Sequence, residues 1–103
     1  MIHSTAIVSD SALIADDVEI GAYTVIGDNV EIGSEVVINK DLIILDGAII
    51  GDGTSLGQGT VVCYNAQVGP YLNIGRNNLI QSGESVTGDL RGERDTKDPA
   101  TCN

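Results

Sequence analysis

The sequence predicts an all-β fold, a parallel β-helix, on three observations. A branched aliphatic residue recurs at every sixth position, a small or branched residue precedes it by two, and glycine often follows it. The run from Val18 to Ile38 shows all three, as Val18-Glu19-Ile20-Gly21, Thr24-Val25-Ile26-Gly27, Val30-Glu31-Ile32-Gly33 and Val36-Val37-Ile38. Extended both ways, the register covers positions 2, 8, 14, 20, 26, 32, 38, 44, 50, 56, 62, 68, 74, 80 and 86. All fifteen hold Ile, Val or Leu, with no slip or insertion. A period of six is the mark of stacked hexapeptides, each too small to bury its own apolar side alone.

Each hexad divides into a strand and a corner. In Val30-Glu31-Ile32, alternation points Val30 and Ile32 to one side and Glu31 to the other. Gly33-Ser34-Glu35 then turns the chain. Glycine follows the aliphatic at positions 21, 27, 33, 51, 57, 69 and 75, where a sharp corner is expected to need a positive φ. The next corner positions are rich in turn formers, as in Asp28-Asn29, Asp52-Gly53 and Asn77-Asn78. Fifteen hexads at three per turn predict about five coils, a stem about 24 Å long at a strand spacing of about 4.8 Å.

The residues two before each aliphatic form a second inward row, mostly small: Ala6, Ala12, Val18, Thr24, Val30, Val36, Leu42, Ala48, Thr54, Thr60, Ala66 and Leu72. The row fails at Asn78 and Glu84, so a less regular last coil is expected. With no Trp or Phe, the core is a narrow aliphatic tube, and burying each large side chain is worth about 1.5–3 kcal/mol. Stability then grows with the number of stacked coils.

The outward row carries more information about function. Sorted at eighteen residues per coil, one face presents Met1, Glu19, Val37, Ser55 and Asn73, and another Leu13, Glu31, Ile49, Gln67 and Ser85. The third presents Ile7, Val25, Ile43, Val61 and Leu79, aliphatic throughout. A contiguous apolar stripe on a solvent-facing column marks an interface, and closure of three prisms into a ring is its natural geometry. The column is therefore the expected homotrimer interface, unless the chain's own C-terminal tail covers it.

Charge and cysteine usage exclude several classes. The formal net charge of −10 argues against nucleic acid, whose phosphates are bound by clustered Lys and Arg. Residues 1–75 carry ten acids and one base, Lys40, whereas residues 76–103 carry five acids and four bases, Arg76, Arg91, Arg94 and Lys97. An anionic ligand is expected towards that second end. Cys63 and Cys102 have no metal-like spacing and make no disulfide framework. Neither a signal peptide nor a membrane span is apparent, so a cytoplasmic protein with free thiols is expected. No cofactor and no metal are expected. From Gly88 the period stops, so residues 1–87 read as the β-helix and 88–103 as a charged loop or tail. Either the tail folds over the last coil, or the chain is a piece of something longer, because an open sheet end leaves backbone groups unpaired.

Several stretches resemble the bacterial UDP-N-acetylglucosamine O-acyltransferases of lipid A synthesis, members of the hexapeptide-repeat acyltransferase superfamily. They are Met1-Ile2-His3, Thr5-Ala6-Ile7-Val8, the Val18-Glu19-Ile20-Gly21 and Val30-Glu31-Ile32-Gly33 repeats, and Asn73-Ile74-Gly75-Arg76-Asn77-Asn78. The resemblance implies a left-handed β-helix, contrary to the usual crossover hand, and a homotrimer with sites between subunits. It implies transfer of a hydroxyacyl chain from acyl carrier protein to a sugar hydroxyl, with a histidine as general base. The family follows this region with an external loop bearing Gln-Asp-Leu-Lys-Tyr; here Gly88-Asp89-Leu90-Arg91 stands in a similar place, without the Gln and Tyr. Asp89 and Arg91 are the substrate-binding positions so implied.

The family's catalytic histidine lies beyond the region that matches, and His3, the only histidine here, falls in a corner of the first coil. No catalytic residue is assigned. The expectation is a β-helix portion, truncated and inactive by itself, of an acyl-carrier-dependent UDP-N-acetylglucosamine O-acyltransferase. The alternatives are part of an acetyl-CoA-dependent sugar acetyltransferase of surface polysaccharide synthesis, and a non-catalytic trimeric scaffold. In the enzymatic readings the partners are a UDP-sugar and an acyl carrier protein or acyl-CoA. A β-helical carbonic anhydrase is excluded, since three metal-binding histidines are needed.

Overall fold

Each hexad folds as one strand of two residues and one corner, and the strands stack into three parallel sheets. The computed structural model describes residues 1–91. The first face contains β1 (Ile7–Val8), β4 (Val25–Ile26), β7 (Ile43–Ile44), β10 (Val61–Val62) and β13 (Leu79–Ile80). The second contains β2 (Leu13–Ile14), β5 (Glu31–Ile32), β8 (Ile49–Ile50), β11 (Gln67–Val68) and β14 (Ser85–Val86). The third contains β3 (Glu19–Ile20), β6 (Val37–Ile38), β9 (Ser55–Leu56) and β12 (Asn73–Ile74), with bridges to Ile2 at one end and Leu90 at the other. Fourteen strands at three per turn make four complete turns and two strands of a fifth. This is a parallel β-helix.

Every strand pairing joins residues eighteen apart, as in Ile7↔Val25 and Ile32↔Ile50. The exception is the last bridge, Ile74↔Leu90, where the chain returns two residues early. Pairing thus continues to Leu90, past the residue at which the period is lost. Of the expected tail, residues 92–103 lie outside the described residues.

The inward positions are filled as the period requires. Ile26, Ile38, Leu42, Ile44, Ile50, Leu56, Ile74 and Ile80 are all buried to within 2 %. Three threonines in the second inward row brace successive coils. Thr60 Oγ1 donates to Gly75 O at 3.0 Å and accepts from Asn78 N at 3.3 Å. Thr54 does the same with Gly69 O and Leu72 N, and Thr24 with Asn39 O and Leu42 N. A buried hydroxyl satisfied in both directions is the condition for threonine in an aliphatic tube. Asn78, where the row fails in sequence, keeps the inward position at 2 % exposure. Its Nδ2 donates to Gly75 O at 3.0 Å, and its Oδ1 has no partner. Cys63 is fully buried and disulfide-bonded, not the free thiol expected; Cys102 lies outside the described residues.

The corners correct one sequence expectation. The glycines that follow the aliphatic do not have positive φ. The left-handed residue comes two positions later, at Tyr23, Asn29, Glu35, Asp41, Gly47, Gly53, Gly59, Asn65, Tyr71, Asn77 and Gly83. Its N–H donates to the coil before: Tyr71 N to Asp52 O at 2.7 Å, Asn77 N to Gln58 O at 2.9 Å, Glu35 N to Asp17 Oδ1 at 3.0 Å. The earlier glycine is needed for closeness instead. A Cβ on Gly57 would lie 2.6 Å from Arg76 N, and one on Gly51 2.7 Å from Pro70 N, both backbone atoms of the next coil.

Two stability predictions follow from these contacts. Gly57→Ala forces adjoining coils apart and should cost about 1–3 kcal/mol in urea denaturation, whereas Gly88→Ala, with nothing within 4 Å of the added carbon, should cost nothing measurable. Asn78→Leu should stabilise by about 1 kcal/mol or more, because it removes an unpartnered buried oxygen. Leu42 already stands over Thr24 as Asn78 stands over Thr60.

Candidate functional site

The two sequence-predicted regions occupy different faces. Asp89 and Arg91 come together where the third face ends and the coil is two residues short. They line one groove with Asn73, Gly75 and Leu90. Leu90 holds the segment in place: its N–H donates to Asn73 O at 3.2 Å and its carbonyl accepts from Gly75 N at 2.7 Å. Asp89 Oδ1 accepts from Asn73 N at 2.8 Å, so this carboxylate caps the exposed edge of β12. Arg91 is exposed beside it, and a guanidinium offers paired donors suited to a phosphate or carboxylate. The groove therefore has an anion-binding group and an acceptor, but no nucleophile–base pair.

His3 lies in the first coil and contributes nothing to that groove. Its Nδ1 accepts from Thr5 N at 3.1 Å and contacts Thr5 Oγ1 at 2.9 Å. A backbone N–H can only donate, so Nδ1 is unprotonated and Nε2 bears the hydrogen. The one nitrogen able to take a proton is thus already occupied. Among the described residues, no group of three His, Cys, Asp or Glu is placed to hold a metal ion.

The predicted interface column is continuous. Ile7, Val25, Ile43, Val61 and Leu79 are successive partners in the first face. Exposure falls along it, from 66 % at Ile7 and 37 % at Val25 to 3 % at Leu79. The stripe is exposed at Ile7 and Val25, half-buried at Ile43 and Val61, and buried at Leu79. The second and third faces mix polar with apolar outward residues and offer no comparable stripe.

The acidic corners have a structural task that sequence reasoning saw only as local turn chemistry. Asp46 Oδ1 accepts from Asp28 N and Asp52 Oδ1 from Ser34 N, each at 2.9 Å and eighteen residues away. These carboxylates tie coil to coil. The signal was present in the eighteen-residue spacing of Asp10, Asp28 and Asp46, and of Ser34 and Asp52.

The repeat, its corners and its fold are those of a β-helix domain that the family model for the GMPPB C-terminal domain matches over residues 2–90. The chain belongs to that family. No curated protein sequence matches it. Among solved structures it is similar to the UDP-N-acetylglucosamine acyltransferase of Francisella novicida, at 29 % identity and a TM-score of 0.54, over 90 % of this chain and 46 % of that one. It is also similar to a GDP-perosamine N-acetyltransferase of Caulobacter crescentus, solved with CoA and GDP-perosamine, at 26 % identity and a TM-score of 0.44, over 89 % of this chain and 49 % of that one. The structural neighbours are hexapeptide-repeat acyltransferases, and the chain spans about half their length. No helix among the described residues is long and apolar enough to cross a membrane.

Removing the Asp89 carboxylate tests its role as a cap. Asp89→Ala should lower stability in urea by about 0.5–1 kcal/mol, since Asn73 N loses its acceptor. Asp89→Asn keeps an oxygen there and should restore most of the loss, while Arg91→Ala should leave stability unchanged.

Proposed function

We propose that this chain is the β-helix portion of an acyltransferase that acts on a nucleotide-linked sugar. It assembles as a homotrimer through the first face and does not transfer acyl groups by itself. The observation that carries the reading is the in-register apolar column from Ile7 to Val61, on a fold shared with the Francisella novicida acyltransferase. The Asp89–Arg91 groove is the place where the nucleotide sugar contacts this part of the protein, with Arg91 on phosphate. The acyl donor is acyl carrier protein if the reaction belongs to lipid A synthesis, and acetyl-CoA if the product is a surface polysaccharide. The lack of activity by itself rests on His3, whose accepting nitrogen is held by Thr5.

A second reading, a non-catalytic assembly domain, is favoured by the acids spent on joining coils. Ligand binding separates the two. Light scattering should give three times the chain mass of 10.7 kDa. Arg91-dependent binding of UDP-N-acetylglucosamine in calorimetry supports the acyltransferase portion, and a trimer that binds none supports the assembly domain.

The column itself is tested by Val25→Asp with Ile43→Asp. Both side chains point away from the core, so circular dichroism should be unchanged while the oligomer dissociates to monomer. A double mutant that keeps the wild-type mass would overturn the interface assignment.

A further inference from the structure

A second groove opens at the beginning of the third face, at the opposite end from Asp89. It is lined by His3, Glu19, Gly21, Asn39, Lys40 and Gln58, over an apolar floor. At its wall the backbone of Gly21 packs directly against that of Asn39 and Lys40 in the next coil. No larger residue fits there, because a Cβ on Gly21 would lie 2.7 Å from Asn39 C.

Three side chains present free donors to this groove. His3 has Nδ1 held by Thr5 N, so its Nε2–H is directed away from that bond. Lys40 is the single base among residues 1–75, and among the described residues its ammonium forms no ion pair despite ten acids in that stretch. Gln58, eighteen residues on and therefore directly above Lys40, has a side-chain amide with no partner among the described residues. Asn39 is not a fourth donor, since its Nδ2 is committed to Leu56 O at 2.8 Å. Glu19, outward on β3, is the one acceptor at the rim.

We infer that this groove binds a phosphate monoester of a hydroxylated compound. An ammonium, an imidazole N–H and an amide, supplied from separate corners, suit the tetrahedral oxygens of a phosphate better than the two coplanar oxygens of a carboxylate. Glu19 accepts a hydroxyl of the remainder of the ligand. Over residues 1–75 the acidic surface repels anions, so within that stretch attraction is confined to the neighbourhood of Lys40.

The test uses the fact that His3 is the only histidine, so its imidazole signals in NMR spectra of the whole chain need no assignment. Titration with inorganic phosphate should move them saturably, and sodium chloride at matched ionic strength should not. A hexose phosphate should bind more tightly than inorganic phosphate. Lys40→Ala, an exposed change, should weaken both by about tenfold. Glu19→Gln should abolish the advantage of the hexose phosphate while inorganic phosphate still binds. Signals that do not saturate, or move equally in chloride or in Lys40→Ala, would overturn the site. Equal affinity for the two phosphates would overturn the role given to Glu19.

Discussion

The structure depends on one constraint, the vertical hydrogen bonding between coils whose register is eighteen residues. Strand N–H groups donate to the following coil, as Val25 N does to Leu42 O at 2.9 Å, and the left-handed corner N–H groups donate to the preceding one, as Asn65 N does to Asp46 O at 3.0 Å. No strand is longer than two residues, so no sheet could hold its register alone. The three faces hold one another. An insertion of one residue in any coil would invert the alternation of every hexad beyond it, putting Ile outward and Glu inward. That cost explains why the period runs without a slip from Ile2 to Val86.

Because stacking is vertical, residues are selected by what lies above and below them rather than by their neighbours in sequence. Gly57 is a glycine because the backbone of Gly75 and Arg76 passes over it, not because of its own φ. Conversely, the left-handed corner position accepts Tyr23, Glu35 and Tyr71, where an isolated turn would prefer glycine or asparagine. A left-handed L-residue costs about 1–2 kcal/mol. Here it directs an N–H onto an acceptor of the previous coil, and the bond offsets much of that cost.

This explains what could and could not be read from sequence. The strands, the three faces and the apolar column follow from arithmetic on a period of six, which sets Val25 beside Ile43 on one face. The glycine was misread because a corner residue needing positive φ and one needing no side chain look alike in a single sequence. Leu79 was grouped with the exposed column because register alone cannot reveal its burial. Asp89 was singled out by resemblance as a ligand contact. That its oxygen caps Asn73 could not be foreseen, since the bond spans sixteen residues where every other coil spans eighteen.

The places free for specific chemistry are then few. Inward positions are committed to the tube, and corner amides and carboxylates to joining coils. What is left is the outward row and the points where the repeat starts or is broken. Both grooves lie at such points: His3 stands where the first coil begins, and Asp89 and Arg91 where the fifth is cut short. Lys40 and Gln58 are corner residues whose backbones serve the stack, Lys40 O accepting from Gly59 N and Gln58 O from Asn77 N, while their side chains do not. In a solenoid this economical, a cationic side chain without a structural task, sharing one groove with an imidazole N–H and an amide, is better explained by a ligand than by the fold.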